Sequence, residues 1–328
     1  MNSASLTRAT CLIATTQSPS THARWPEWEE KSIEKVFTRL GYHGTVHAPA
    51  LSIVIPTHKR PAILSACLEH LERQTIADRI EVIVVSDGHD PATTEAVTAQ
   101  QWKMPVKFFE IPKAQQGAAR NAGMKEATGE IVLFLGDDML LTPGACEEHL
   151  SAHATNKNVA VLGFTEWDPS IGITPVMRWL DKTGWQFGYG FLKPYEGRLI
   201  PAEMQHKFTY AGNLSMPTVI ARATPFPEGL TDYGWEDVVF GMELKKKHID
   251  LFYQPSAKAL HRHRIELEDS LKRMRAIGKT AKIFAARDPA FDMLPRGWKL
   301  HAYRILSLLP TMRGRHAKAL LRGMNEAR

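Results

Sequence analysis

From residue 51 onward, short apolar runs alternate with amphipathic stretches. "LSIVIPT" (51–57), "EVIVVSD" (81–87), "KFFEI" (107–111), "IVLFLGDD" (131–138) and "VAVLGF" (159–164) are rich in β-branched and aromatic residues and predict strands. Between them, residues 61–74, 91–101, 116–127 and 143–153 predict helices. Nearly uninterrupted apolar strands alternating with helices predict an α/β fold, a mostly parallel, Rossmann-like sheet covered on both faces. Residues 1–24, rich in Ser and Thr and free of acids, predict a disordered tail. "PEWEEKSIEKVFTRLG" then predicts a short amphipathic helix within an N-terminal helix-and-linker segment, 25–50, with acids in its first turn and Gly41 at its end. At the other end, residues 266–287 predict a helix that stops before Pro289.

Charge sharpens this division. The net charge is +6, but residues 296–328 hold eight Lys/Arg against Glu326 alone, leaving 33 basic and 34 acidic side chains in the first 295 residues. The body is not a nucleic-acid binder by charge, and no nucleic-acid partner is expected. "GWKLHAYRILSLLP" and "RGRHAKALLRGM" combine basic residues with clustered Leu. They fit either helices on an anionic membrane surface or helices packed on the catalytic domain with a solvated basic face. Three scattered cysteines, Cys11, Cys67 and Cys146, without metal-ligand spacing, point to a reducing compartment. The expected location is cytoplasmic, at or near the inner face of the membrane.

In open sheets of this kind, ligands bind beyond the carboxyl ends of the strands. Those ends carry Pro56-Thr57, Ser86-Asp87-Gly88 and Gly136-Asp137-Asp138, so three acids converge on one edge. "GDD" by itself fits a turn or a cation site. A dinucleotide site requires G-x-G-x-x-G after the first strand and a P-loop requires G-x-x-x-x-G-K-[ST]. The first strand instead ends "IPTHKR". What the edge offers is carboxylates plus Arg120, in "QQGAARNAG", whose planar fork suits phosphate. A diphosphate held with a divalent cation is the natural occupant.

"SIVIPTHKR", "VIVVSDG" and "GAARNAG…ATGEIVLFLGDD", in this order, resemble the nucleotide-sugar half of the family 2 glycosyltransferases, which have the GT-A fold. The resemblance implies a GT-A catalytic domain over 51–265, divided into a nucleotide-sugar half (51–165) and an acceptor half (166–265). An N-terminal helical extension and a basic helical C-terminal extension (266–328) would flank it. It implies donor contacts at Pro56, Thr57, Arg60, Asp87, Arg120 and Asp137, with Asp87 on the nucleoside and Asp138 ligating the metal. Gly136 stands where the commoner D-x-D motif has its first acid, which leaves ligation to the last one.

"YAGNLSMP" (210–217) and the later "PEGLTDYGWEDVVFGMELKKKHI" resemble the acceptor-side segment of the same family, with "EGLTD" in place of the usual G-G-F-[DN]-E. The resemblance makes Asp237 the general base and Trp235, Glu236 and Asn213 acceptor contacts. Trp235 suits either stacking on a sugar ring or core packing. His261 and His263, in "SAKALHRHR", match the late histidine that many GT-A enzymes supply as a metal ligand, with His261 preferred. Imidazole ligation favours Mn2+ over Mg2+. The function implied is inverting, metal-dependent transfer of a sugar from a nucleotide donor to a hydroxyl of a glycan or lipid-linked acceptor. Peripheral membrane association would run through the basic tail. A sugar-phosphate nucleotidyltransferase is the rival enzyme, but its glycine- and arginine-rich first loop is absent. A non-catalytic nucleotide- or carbohydrate-binding protein is the other alternative, and the Asp87, Asp138 and Asp237 set argues against it.

Overall fold

A computed structural model describes residues 49–228 and 234–327. The tail and helix expected before residue 49 and most of "EGLTD" lie outside the described residues. The first strands fall where the apolar runs put them: β1 (Leu51–Thr57), β2 (Ile80–Asp87), β3 (Val106–Ile111) and β4 (Ile131–Leu135). They pair in parallel in the order β3-β2-β1-β4. Every residue of β1 and β2 is buried. Alternate side chains feed two cores, Val54, Ile83 and Val85 on one face and Ile53, Ile55, Val82 and Val84 on the other. Each such side chain, fully withdrawn from water, contributes about 1.5–3 kcal/mol of transfer free energy. Helices α1 (Pro61–Glu72), α2 (Pro91–Thr98) and α3 (Gln115–Glu126) connect these strands, α1 and α2 each with proline in the first turn.

Beyond β4 the sheet becomes mixed. β8 (Asn213–Pro217) inserts antiparallel between β4 and β6 (Val159–Trp167), and β9 (Asp250–His261) runs parallel to β6. The short β5 (Met139–Leu141) and β7 (Arg198–Leu199) both lie antiparallel to β9. The parallel pattern foreseen from the sequence therefore holds for the first half only. β8 is a five-residue strand, and its apolar run is too short to announce an insertion or its direction. At Gly163 the β6–β9 register shifts, and a Cβ there would sit 2.2 Å from the Asn213 amide and 2.3 Å from the Ala257 carbonyl, so only glycine fits.

Helices α4 (Ala145–Thr155), α5 (Pro175–Thr183), α6 (Thr218–Ala223) and α7 (Glu236–Lys246) cover this second half. Three more follow: α8 (Leu267–Arg287), α9 (Trp298–Leu306) and α10 (Met312–Glu326). α8 and α10 pack with their backbones nearly touching. A Cβ on Gly278 would lie 2.2 Å from the Leu320 carbonyl oxygen, and one on Gly323 would lie 1.9 Å from that of Arg275. Residues 266–327 thus belong to the same compact unit as the sheet. Among the described residues, no helix is long and apolar enough to cross a membrane.

Candidate active site

The "GDD" segment is a turn, and its last carboxylate also belongs to a candidate cation cluster. Gly136 to Asp138 form the turn between β4 and β5, closed by the Met139 amide donating to the Gly136 carbonyl at 3.1 Å. The two carboxylates of the turn then acquire different surroundings. Asp137 accepts a 2.7 Å hydrogen bond from Thr57 Oγ1 and another from the Arg60 guanidinium. Arg60 Nη1 also donates to Asp138 Oδ2 at 3.0 Å, so one arginine spans both acids. Burial, and then the charge of Asp138, push Asp137 up to about 6. Asp138 is equally buried, yet hydrogen bonds from His261 and His263 outweigh the burial and hold it well below the usual carboxylate range.

Sheet register delivers those histidines. The β5–β9 pairing sets His261 opposite Met139, and the Arg262 amide donates to the Asp138 carbonyl at 2.8 Å. His261 Nε2 and His263 Nδ1 then lie 3.5 and 3.4 Å from Asp138 Oδ2. His263 sits just past the end of β9 and is exposed, whereas His261 is buried and stacks on Trp167 with ring centroids 5.0 Å apart. One ligand atom from each of Asp138, His261 and His263 falls within 4.8 Å of the others. One carboxylate oxygen with two imidazole nitrogens fits a borderline divalent cation such as Mn2+.

Across the cavity stands the second acidic pair. α7 is entered through Gly234 (φ 110°) and Trp235 (φ 71°), and Glu236 and Asp237 occupy its first turn, where the amide ends of the helix favour negative charge. Asp237 Oδ2 accepts from the Ala211 amide at 3.1 Å, while Arg120 Nη1 lies 3.6 Å from its Oδ1. Burial raises the Asp237 pKa, opposed by Arg120 and the Ala211 bond. Burial, then the charge of Asp237, push Glu236 up to about 7. Arg120 is itself buried against the Phe226 ring, and its Nε and Nη1 make no hydrogen bond among the described residues.

The segment "YAGN" ties the two sides together. Ala211 donates to Asp237, and the neighbouring Gly212 carbonyl accepts from the Gly136 amide at 3.1 Å. Two consecutive residues thereby tie the Glu236–Asp237 pair to the Asp137–Asp138 turn. Both open onto a cavity of about 670 Å3 that Pro56, Arg60, Arg120, Trp235 and Glu236 also line. Among the described residues, four of the six non-glycine residues with positive φ (Lys59, Gln115, Phe187 and Trp235) border these groups or precede one of them. Backbone strain of this kind clusters at functional sites.

Three expectations change. Asp87 does not line this cavity; its oxygens accept from Lys113 Nζ and from the Ala114 and Gln115 amides, so it organises the start of α3. Thr57 likewise orients Asp137 and does not face the cavity. Asn213 is withdrawn as an acceptor contact. It is buried in the sheet, its amide donating to the Ala257 and Phe164 carbonyls and its oxygen bound to His149. Trp235 packs in the fold and also borders the cavity: its Nε1 donates to the Ile277 carbonyl and its ring meets Phe291 edge-on, while the residue lines the cavity. Sequence reasoning missed the wall supplied by α8, where Asp269, Lys272, Arg273 and Ile277 face the same space. Tertiary packing of α8 on α7 and α10 brings them there, and no motif marks them.

The sequence profile of Glycosyl transferase family 2 matches residues 52–210. A validoxylamine A glucosyltransferase from Streptomyces hygroscopicus subsp. jinggangensis is 36% identical over 113 residues, 34% of this chain and 27% of that protein. A GalNAc(5)-diNAcBac-PP-undecaprenol beta-1,3-glucosyltransferase from Campylobacter jejuni is 33% identical over 100 residues, 30% of this chain and 32% of that one. The chain thus spans about a third or less of the length of these curated relatives. Among solved structures, a Pyrobaculum calidifontis mannosyltransferase in complex with GDP-Man and Mn2+ superposes with a TM-score of 0.53 and 17% identity, over 91% of this chain and 83% of that one. Residues 52–210 are thus similar to glycosyltransferase family 2, and the fold is that of GT-A glycosyltransferases.

Proposed function

We propose that the protein is an inverting, metal-dependent glycosyltransferase moving a sugar from a nucleotide-diphosphate donor to a hydroxyl of a glycan or lipid-linked acceptor. The observation that carries this reading is the placement of Asp138, His261 and His263 on one side of a single cavity and Asp237 on the other. A divalent cation, Mn2+ by the donor set, would be held by Asp138, His261 and His263 and would offset the charge of the departing nucleoside diphosphate. Arg120 and Arg60 are placed to bind its phosphate oxygens, and Asp137, held by Thr57, keeps Arg60 in position. Asp237, raised by burial and opposed in this by Arg120, takes the proton of the attacking hydroxyl. One displacement from the side opposite the leaving group inverts the anomeric centre.

A nucleoside contact at Asp87 requires Lys113 to let go of the carboxylate, which places that role second to the phosphate and metal contacts. The lipid-linked acceptor draws support from the Campylobacter relative, whose name records an undecaprenol-diphosphate substrate. A thermal-shift screen of nucleoside diphosphates and nucleotide sugars, with and without Mn2+, tests the whole reading, because a ligand that binds the folded state stabilises it by mass action. At least one of these ligands should raise the melting temperature only when Mn2+ is present. A screen in which none does so overturns the proposal.

A further inference from the structure

The basic C-terminal region divides into two helices with opposite behaviour. α10 buries Ala317, Ala319, Leu320 and Gly323, largely against α8, and is part of the fold. α9 buries none of its residues. Seven large apolar side chains are conspicuously exposed among the described residues, and four of them are Trp298 (75%), Ile305 (67%), Leu308 (82%) and Leu309 (47%), on α9 and the turn that follows it. At about 100° per residue, Trp298 and Ile305 fall within about 20° of each other, forming one ridge. Lys299 and Arg304, both exposed, stand about 100° and 120° to either side of Trp298. Arg296, Arg313, Arg315, Lys318 and Arg322 are exposed as well, and no acid occurs from residue 296 to 325.

We infer that α9 is a membrane-docking helix that lies in the interface of an anionic lipid bilayer, with Trp298, Ile305 and Leu308 among the acyl chains. Lys299 and Arg304 flank them toward the lipid phosphates. A soluble partner would be met equally well by an apolar ridge alone. The cationic borders on both sides of the ridge, in a stretch without an acid from residue 296 to 325, match a negatively charged, laterally continuous surface; Glu268 lies 3.8 Å from Arg315, away from these borders in the chain. Interfacial Trp, with an apolar ring and a polar N–H, suits that depth. The inner side of the same helix points at the catalytic machinery: Tyr303 stacks on Trp185, with centroids 6.3 Å apart, and Trp185 lines the cavity. Docking through α9 therefore sets the cavity beside the bilayer, where a lipid-linked acceptor presents its sugar. For its purpose this surface rests on the proposed acceptor; for its existence it rests on α9 alone.

The test is flotation of the full chain with vesicles of phosphatidylcholine containing about 30% phosphatidylglycerol, in salt from about 0.05 M to about 0.5 M. The protein should float with these vesicles at low salt and only weakly with pure phosphatidylcholine. W298A/I305S and K299E/R304E should each weaken flotation at least about tenfold, with Mn2+-dependent nucleotide binding unchanged. All four positions are exposed, so the fold survives, and nucleotide binding reports this directly. Flotation of W298A/I305S equal to the native chain overturns insertion and leaves only surface adhesion by charge. A native chain that ignores the vesicles, or whose dimer in solution W298A/I305S dissolves, assigns the ridge to a protein interface instead. Failure of nucleotide binding in the native chain would sink the proposed reaction and leave the docking result standing.

Discussion

The two acidic clusters that face each other across the cavity are built in opposite ways. Asp137 and Asp138 sit at the carboxyl end of a parallel strand, and Arg60 and Thr57 reach them from the end of the neighbouring strand. Their place follows from topology common to open sheets. Glu236 and Asp237 sit in the first turn of a helix entered through two residues of positive φ, fixed by a backbone amide from a segment some 25 residues earlier. The Asp137–Asp138 pair is positioned by regular sheet, the Glu236–Asp237 pair by irregular chain. Under the proposed reading, phosphate and metal contacts rest on generic architecture, whereas a base set against a variable acceptor rests on local, strained construction.

The sharpest way to break the comparison is to remove the base without disturbing its shape. Asp237→Asn keeps the Ala211 bond but accepts no proton, so transfer should fall about 10²–10⁴-fold with donor affinity nearly unchanged. Steady-state kinetics on a competent acceptor decide this, and native-like turnover would move the base elsewhere. On the sheet-built side, Asp138→Ala should abolish the Mn2+ dependence of nucleoside-diphosphate affinity, measured by titration calorimetry. His261→Ala should weaken it less, because His263 remains. An unaltered Mn2+ dependence in Asp138→Ala would return "GDD" to the status of a turn.

The wall of the cavity can be probed through its support. Gly323→Val forces side-chain atoms into the Arg275 carbonyl, and should cost about 1–3 kcal/mol in urea unfolding, as overpacked contacts do. Equal stability would mean that α10 is only loosely attached. The smallest effect concerns pH. Because burial lifts Glu236 to about 7, its ionised form is disfavoured in the fold, and its share of stability is lost as pH rises from about 4.5 through 7. Glu236→Gln should flatten that decline by on the order of 1–2 kcal/mol. Parallel stability–pH curves for the two proteins would show that Glu236 ionises freely.

The parallel half was legible because each of its strands is a separate apolar run and each chemical group lies at a run's end. Asp138, Arg120, Asp237 and the two histidines could be named on that basis and by family resemblance. Asn213 could not be assigned correctly, since its role depends on Gly163 leaving room in an adjacent strand. Lys272 and Arg273 were invisible for a different reason. They lie on an ordinary amphipathic helix, and its packing on α10 through Gly278 and Gly323 and on α7 through Ala281 and Phe284 turns that face toward the cavity. The same packing means that a chain shortened before α10 would leave α8 without that brace.

The β5–β9 pairing also has a consequence in time. Asp138 and His263 are 125 positions apart in the chain, so at about 5–20 residues per second a ribosome adds the second roughly 6–25 s after the first. Arg60, by contrast, has already emerged. We predict that during synthesis Arg60 alone shields the adjoining carboxylates, and that the nascent domain gains metal affinity only as its last strand arrives. A ribosome-stalled chain ending near residue 200 should then bind Mn2+ no better than the Asp138→Ala protein, and tighter binding would refute that order of events.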